Sequence, residues 1–121
     1  MTKKTNSKPY DLEERTLEFA KRVRAFVKRL PKTIANIEDS RQLVKASGSV
    51  GANYIEANEA ISKKDFVYRI KICRKESKES RYWLRLVDTE DDTELDKERD
   101  DLVRESTELM NIFGAILQKS Q

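Results

Sequence analysis

The chain has 121 residues, of which 39% are charged and 37% hydrophobic, and its formal net charge is +3. A chain of this length suits one domain, and three glycines with two prolines argue against a sheet of many short strands. No apolar run approaches the ~20 residues of a membrane span, and the single cysteine excludes an intrachain disulfide. We expect a cytoplasmic protein without membrane association, with a disordered lead-in over residues 1–9 and one domain over residues 10–119.

The first helix is predicted to begin near Leu12 and to end at Leu30, because apolar residues recur between them at helical spacing. Asp11 is the expected N-cap, and Pro31 disfavours continuation of the helix. Residues 31–39 are predicted to form a connection with room for a short turn of helix.

The second helix is predicted from Ser40 to Ile61. Its centre is unusual, because Gly48, Ser49, Gly51 and Ala52 are all small. Each helical glycine costs about 1 kcal/mol relative to alanine, which favours the close approach of another backbone. The alternative is a break into two shorter helices. The predicted core stripe of this helix is Leu43, Ser47, Val50, Tyr54, Ala57 and Ile61.

The third helix is predicted from a capping box at Ser62 and Asp65 to about Val87. Two stripes repeat along it in steps of three and four residues, nearly opposite each other. The stripe predicted to pack contains Phe66, Ile70, Cys73, Ser77, Ser80, Leu84 and Val87. The stripe predicted to face water, called the cationic stripe below, contains Lys64, Tyr68, Lys71, Lys75, Lys78, Tyr82 and Arg85.

The fourth helix is predicted to begin at Asp92 or Thr93 after a loop over residues 88–92, since acidic residues favour a helix N-terminus. Its apolar face contains Leu95, Leu102, Leu109, Ile112, Phe113, Ile116 and Leu117. Four amphipathic helices joined by short connections predict an all-α protein, an antiparallel up-down four-helix bundle.

The charges of the chain are segregated. Residues 1–32 and residues 62–86 each carry a net charge of +6, whereas residues 87–121 carry −7. The cationic stripe therefore suits a polyanion, and its two tyrosines could stack on unpaired bases. Nine further cations could extend the basic field, namely Lys3, Lys4, Lys8, Lys21, Arg22, Arg24, Lys28, Arg29 and Lys32. The plainer interpretation is a solvated helix face. In a third interpretation, the protein is an interaction module, and the stripe contacts the acidic segment of residues 88–108 of a neighbouring subunit, or another protein.

A second polar group flanks the core stripes of the two inner helices. Asn53, Glu56, Glu76 and Glu79 are predicted to form a structural polar network, because half-buried carboxylates need partners. The alternative is a Mg²⁺ site, since Glu56-x-x-Glu59 and Glu76-x-x-Glu79 loosely resemble the acidic motifs of all-α nucleotide pyrophosphatases. The pattern lacks a Glu-Glu doublet. With no histidine and no glycine-rich phosphate loop, we assign no catalytic residue, cofactor or metal site.

The sequence over residues 53–60, 62–66 and 72–86 resembles the four helix bundle protein family. This family is also described as proteins encoded in intervening sequences of bacterial large-subunit ribosomal RNA genes, and it is similar to the accessory protein of diversity-generating retroelements. The resemblance covers roughly residues 10–118. Its most specific part is the Asn-x-x-Glu beginning at Asn53, followed by the Arg-Lys-Glu-x-x-Glu run beginning at Arg74.

The resemblance implies an up-down bundle that assembles as a ring, a homopentamer, with a role involving RNA or DNA and no enzymatic activity. The polar residues of the family correspond to Asn53, Glu56 and Glu79. The usual Ala-x-Gly-Ser run is replaced here by Cys73-Arg74-Lys75-Glu76, which marks a charged subtype. The function predicted from the sequence is low-specificity binding of RNA or DNA through the cationic stripe of a non-enzymatic oligomer.

Overall fold

Four α-helices make up the described part of the chain, which is residues 11–120 of a computed structural model. They are α1 (Leu12–Arg29), α2 (Ile34–Asn58), α3 (Lys63–Leu86) and α4 (Thr93–Ser120). The contacts of α3 with α2 and α4 are the most extensive, and α1 packs on α2 and more sparsely on α4. The predicted all-α antiparallel four-helix bundle is confirmed. The predicted lead-in at residues 1–9 lies outside the described residues.

Side-chain caps fix the starts of the helices. Asp11 accepts a hydrogen bond from the Glu14 backbone N–H at 3.3 Å, as predicted for an N-cap. Ser62 Oγ accepts from the Asp65 N–H at 3.0 Å, which is one half of the predicted capping box. Asp92 caps α4 by accepting from the N–H of Leu95 at 3.1 Å. The predicted starts of these three helices are therefore correct.

The predicted boundaries of the second helix are wrong at both ends. The helix begins at Ile34, six residues before Ser40, because Thr33 Oγ1 accepts the Asn36 N–H at 3.1 Å and caps an additional turn. The helix ends at Asn58. Ile61, predicted as its last core residue, lies in the following turn with 95% of its surface exposed.

Asn36 joins this early turn to the far end of α3. Its side-chain amide donates to the carbonyl oxygens of Pro31 at 3.0 Å and Asp88 at 2.8 Å. Its side-chain oxygen accepts the Asp88 N–H at 2.9 Å. Because the Asn36 side chain is buried, these bonds satisfy the polar atoms of its amide. They hold the connection before α2 against the loop that follows α3.

The core of the bundle is formed by one face of each helix. In α3, every residue of the stripe predicted to pack is buried, except Phe66, which is half-buried. The thiol of Cys73 is also buried and donates to the Val50 carbonyl at 3.4 Å. In α4 the buried apolar residues are Leu95, Leu102, Leu109, Phe113 and Leu117. The packed and exposed faces of α3 are therefore those predicted from its periodicity.

The small residues at the centre of α2 mark a close approach to α1, as predicted, and α2 continues through them without a break. A Cβ atom on Gly51 would lie 2.9 Å from Thr16 Oγ1 and 3.2 Å from Thr16 Cβ. Thr16 is buried and its hydroxyl already donates to the Leu12 carbonyl at 2.6 Å, so it has little freedom to move away. Gly48 instead faces the flexible end of Arg24.

These two glycines predict opposite effects of the same substitution. Gly51→Ala should destabilise the protein by about 1 kcal/mol, because overpacking against Thr16 outweighs the gain in helix propensity. Gly48→Ala is the matched control and should leave stability unchanged or raise it by up to about 1 kcal/mol, since the Arg24 side chain can shift. Urea unfolding measures both changes. A Gly51→Ala protein as stable as the wild type would contradict the close approach.

Candidate nucleic-acid interface

The cationic stripe lies on the outer surface of an uninterrupted helix. The helix α3 runs from Lys63 to Leu86, and all seven residues of the stripe are exposed. Tyr68 and Tyr82 each expose 58% of their surface. They are 14 residues apart, which places them about 21 Å apart along the helix axis. The structure therefore presents cations with an exposed aromatic ring near each end.

The stripe is largely free of intramolecular ion pairs. Lys75 Nζ lies 3.8 Å from a carboxylate oxygen of Glu76, and within residues 11–120 no other cation of the stripe forms a salt bridge. The acidic residues of α3, which are Asp65, Glu76 and Glu79, lie about 80–140° around the helix from Lys71. This is the side of Arg69, which donates to Asn53 of α2. The cations are therefore available to an external anion.

By contrast, α1 uses its arginines to bind α4. Arg15 donates to both Glu105, at 2.7 Å, and Glu108, at 2.8 Å. Further along the same seam, Arg22 lies 3.6 Å from Glu98 and Arg29 lies 3.2 Å from Glu94. Two of these arginines, Arg22 and Arg29, are among the cations predicted to extend the basic field. Their glutamate partners belong to the acidic segment of residues 88–108 on which the protein-interaction alternative depends.

Both tyrosines of the stripe are supported by a neighbouring side chain. The Tyr82 ring meets Trp83 edge-on, with centroids 5.0 Å apart and an interplanar angle of 80°. The guanidinium carbon of Arg69 lies 5.7 Å from the centroid of the Tyr68 ring, within the range of a cation–π contact. These contacts restrain rings that remain more than half exposed, as a base-stacking platform requires.

The predicted polar network is dispersed rather than gathered at one point. Asn53 accepts from Arg69 Nη1 at 3.0 Å and donates to the Ser49 carbonyl at 2.9 Å. In the described range, no hydrogen bond or salt bridge joins any two of the four predicted network residues, Asn53, Glu56, Glu76 and Glu79. Asn53 therefore links α2 to α3 through Arg69, and the network itself stays a prediction.

Glu76 lies in a different environment from its exposed neighbours Glu56 and Glu79. Partial burial and the nearby charge of Glu79 raise the pKa of Glu76, while Lys75 and Lys45 oppose this shift. Across residues 11–120, no group of three or more acidic, cysteine or histidine side chains is arranged to hold a metal ion. The two glutamate pairs are thus not brought together as a metal-binding set.

Cys73 has the properties of a core residue. Burial raises the pKa of its thiol to about 12, so at neutral pH it is almost entirely in the unreactive protonated form.

Among the described helices, none is long and apolar enough to cross a bilayer.

Sequence reasoning missed two hollows that border the cationic stripe on its α4 side. The first, of about 520 Å³, is lined by Lys63, Lys64, Val67, Tyr68, Lys71 and Ser120. The second, of about 440 Å³, is lined by Lys71, Arg74, Lys75, Lys78 and Met110. Periodicity places the cations on a face, but it does not show which residues of another helix lie beside them.

These observations define a four-helix bundle protein with a cationic face on its third helix. The model of the 23S rRNA-intervening sequence protein family matches residues 9–115, and the chain belongs to that family. The family predicted from the sequence is thereby confirmed.

The solved structures include a similar protein. It comes from Bacteroides thetaiotaomicron VPI-5482 and is described as a protein with unknown function from the S23 ribosomal protein family. It matches with a TM-score of 0.73 and 28% sequence identity, over 88% of this chain and 97% of that one. A search of curated proteins finds no match.

Proposed function

We propose that this protein is a non-enzymatic, cytoplasmic binder of RNA or DNA with low sequence specificity, and that the cationic stripe of α3 forms the contact. One observation carries this proposal above the others. Lys64, Lys71, Lys78 and Arg85 are exposed along one continuous helix, and within the described residues none of the four is engaged in a salt bridge. A row of unpaired cations at helical spacing attracts the closely spaced charges of a phosphate backbone.

The proposed mechanism combines two kinds of contact that every sequence offers. The lysines and the arginine neutralise phosphates and release counterions. Tyr68 and Tyr82 stack on base faces, a contact that tolerates any base. Phosphate and stacking contacts position the nucleic acid without reading base edges, so low specificity follows from the chemistry of the stripe.

We further propose that copies of the chain associate through the face formed by α1 and α2. Leu17 and Ile55 expose 46% and 49% of their surfaces there, beside a hollow of about 340 Å³ floored by Gly48 and Ala52. Because α3 and α4 form the opposite side of the bundle, a contact at this face does not itself cover the cationic stripe. A closed ring also requires a second, different surface on each copy, and we propose that this second surface excludes the stripe. The family resemblance implies a ring of five, which would repeat each weak contact and increase the overall affinity.

Light scattering tests the assembly directly. We expect a mass close to five times the 14.1 kDa of one chain. A particle of 14.1 kDa at micromolar concentrations would contradict self-association, and each particle would then carry only one cationic stripe.

The salt dependence of binding tests the proposed function. For four or five phosphate contacts, the affinity of one protomer for single-stranded RNA should fall about 50- to 130-fold between 50 and 200 mM salt, at a slope of about 0.7 per contact. Fluorescence anisotropy with a labelled oligonucleotide measures this change. Absence of binding at 50 mM salt, or an affinity that stays constant over this range, would overturn the proposal.

A further inference from the structure

We propose, on the basis of the proposed function, that the ligand is a single strand and that it lies in the groove between α3 and α4. The alternative within the same function is that a duplex or a single strand binds to the exposed outer face of α3, outside the groove. The two hollows described above favour the groove, because both lie on the α4 side of the stripe and are lined by residues of α3 and α4.

The two hollows are adjacent along the groove. Lys71 lines both of them. Cations line both hollows, and no acidic residue among the described ones lines either. Val67 in the first and Met110 in the second provide apolar surface beside the charged walls. A chain with a charged backbone and flat apolar faces matches this combination.

The two sides of α3 differ in charge. On the α2 side, Asp65, Glu76 and Glu79 would repel a phosphate backbone. On the α4 side, the neighbouring half of the helix, residues 109–118, contains no charged residue. Gly114 faces Arg74, and Met110 lines a hollow together with Arg74 and Lys75, so this half of α4 does lie against the cationic helix. Electrostatics therefore directs a polyanion toward α4.

The shape of the groove favours a single strand. Packed helices are about 8–10 Å apart, so the depression between two of them admits one strand and not a double helix. A duplex also keeps its base faces stacked inside, where Val67, Met110 and Tyr68 would not reach them. From Lys63 to Lys78 the groove is about 22 Å long, enough for on the order of six nucleotides at 3.4 Å each.

Filling the groove without changing its charge tests this inference. In the variant Met110→Trp, a large ring occupies the second hollow and every cation is retained. We expect its affinity for a single-stranded six- to eight-nucleotide RNA to fall about 5- to 10-fold relative to the wild type. Ile34→Trp is the matched control, because Ile34 is 85% exposed at the start of α2, outside the α3–α4 groove, and its affinity should be unchanged.

A second variant tests the same inference if Met110→Trp fails to fold. Gly114→Met narrows the same groove, and a Cβ atom there would meet only Arg74 Cδ, at 3.9 Å. Replacing a helical glycine also favours the helix, so this variant should fold, as circular dichroism will show, and bind single strands about 3- to 10-fold more weakly.

The outcomes separate this inference from the proposed function. The inference of a single strand in the groove would be wrong if Met110→Trp and Gly114→Met both bound with wild-type affinity. It would also be wrong if the wild type bound a duplex more tightly than a single strand. Neither result would contradict the proposed function. Failure of the wild-type protein to bind any nucleic acid would overturn both.

Discussion

Reversing three cations of the stripe, Lys71→Glu, Lys75→Glu and Lys78→Glu together, is expected to reduce the affinity for single-stranded RNA by on the order of 10²- to 10³-fold at 50 mM salt. Each lysine lies on the exposed face of α3, and each lost phosphate contact forfeits about one decade of affinity at this salt concentration. Because none of the three side chains is buried, the fold should be retained. Fluorescence anisotropy measures the affinity and circular dichroism verifies the fold.

The matched control reverses three exposed lysines elsewhere, Lys28→Glu, Lys32→Glu and Lys97→Glu. Each variant changes the formal net charge from +3 to −3, so a general effect of net charge would weaken both equally. We expect the control to lose less than about one decade, since these lysines contribute only to the long-range field. Equal losses in the two variants would contradict a localised interface on α3.

Asn36→Ala is expected to lower the free energy of unfolding by about 2–4 kcal/mol. The substitution removes the side-chain bonds to Pro31 and Asp88, and it leaves backbone groups without partners in a region where Asn36 itself is buried. An unsatisfied buried polar group costs about 1–3 kcal/mol. Urea unfolding monitored by circular dichroism measures the change as a lower midpoint with an unaltered slope.

Asn111→Ala provides the control for this substitution. Asn111 is exposed on α4, and a surface substitution of this kind should change stability by no more than about 0.5 kcal/mol. A loss below about 1 kcal/mol in Asn36→Ala would show that the contact between the two loops is not important for stability.

The sequence predicts three of the four helices well because their signals are local. Asp11, Ser62 and Asp92 are caps that act within three residues, and the stripes of α3 repeat over six turns. The early turn of α2 has a local cap as well, Thr33, but this turn is held against the rest of the bundle by Asn36, whose partner Asp88 lies 52 residues away. No local pattern records such a bond. The helical spacing predicts Ile61 as a core residue, but the helix ends at Asn58.

Local sequence patterns predict some features of the candidate interface, whereas others depend on how the helices pack. The exposure of the cationic stripe follows from the continuity of α3, so the sequence is sufficient to predict it. The hollows depend on the register of α4 against α3, which sets Met110 beside Arg74 and Lys75. The pairing of Arg22 and Arg29 with glutamates of α4 likewise depends on the packing of α1. Both are properties of the assembled bundle and are not encoded in the spacing of any one helix.

The slope of log affinity against log salt concentration, measured for the wild type and for the triple variant of Lys71, Lys75 and Lys78, tests the phosphate contact most directly. Each replaced contact should reduce the steepness by about 0.7, so the variant should show a slope shallower by about 2. The control variant of Lys28, Lys32 and Lys97 should keep the wild-type slope. Parallel lines for the wild type and the α3 variant would mean that these lysines touch no phosphate, and the proposed interface would then be wrong.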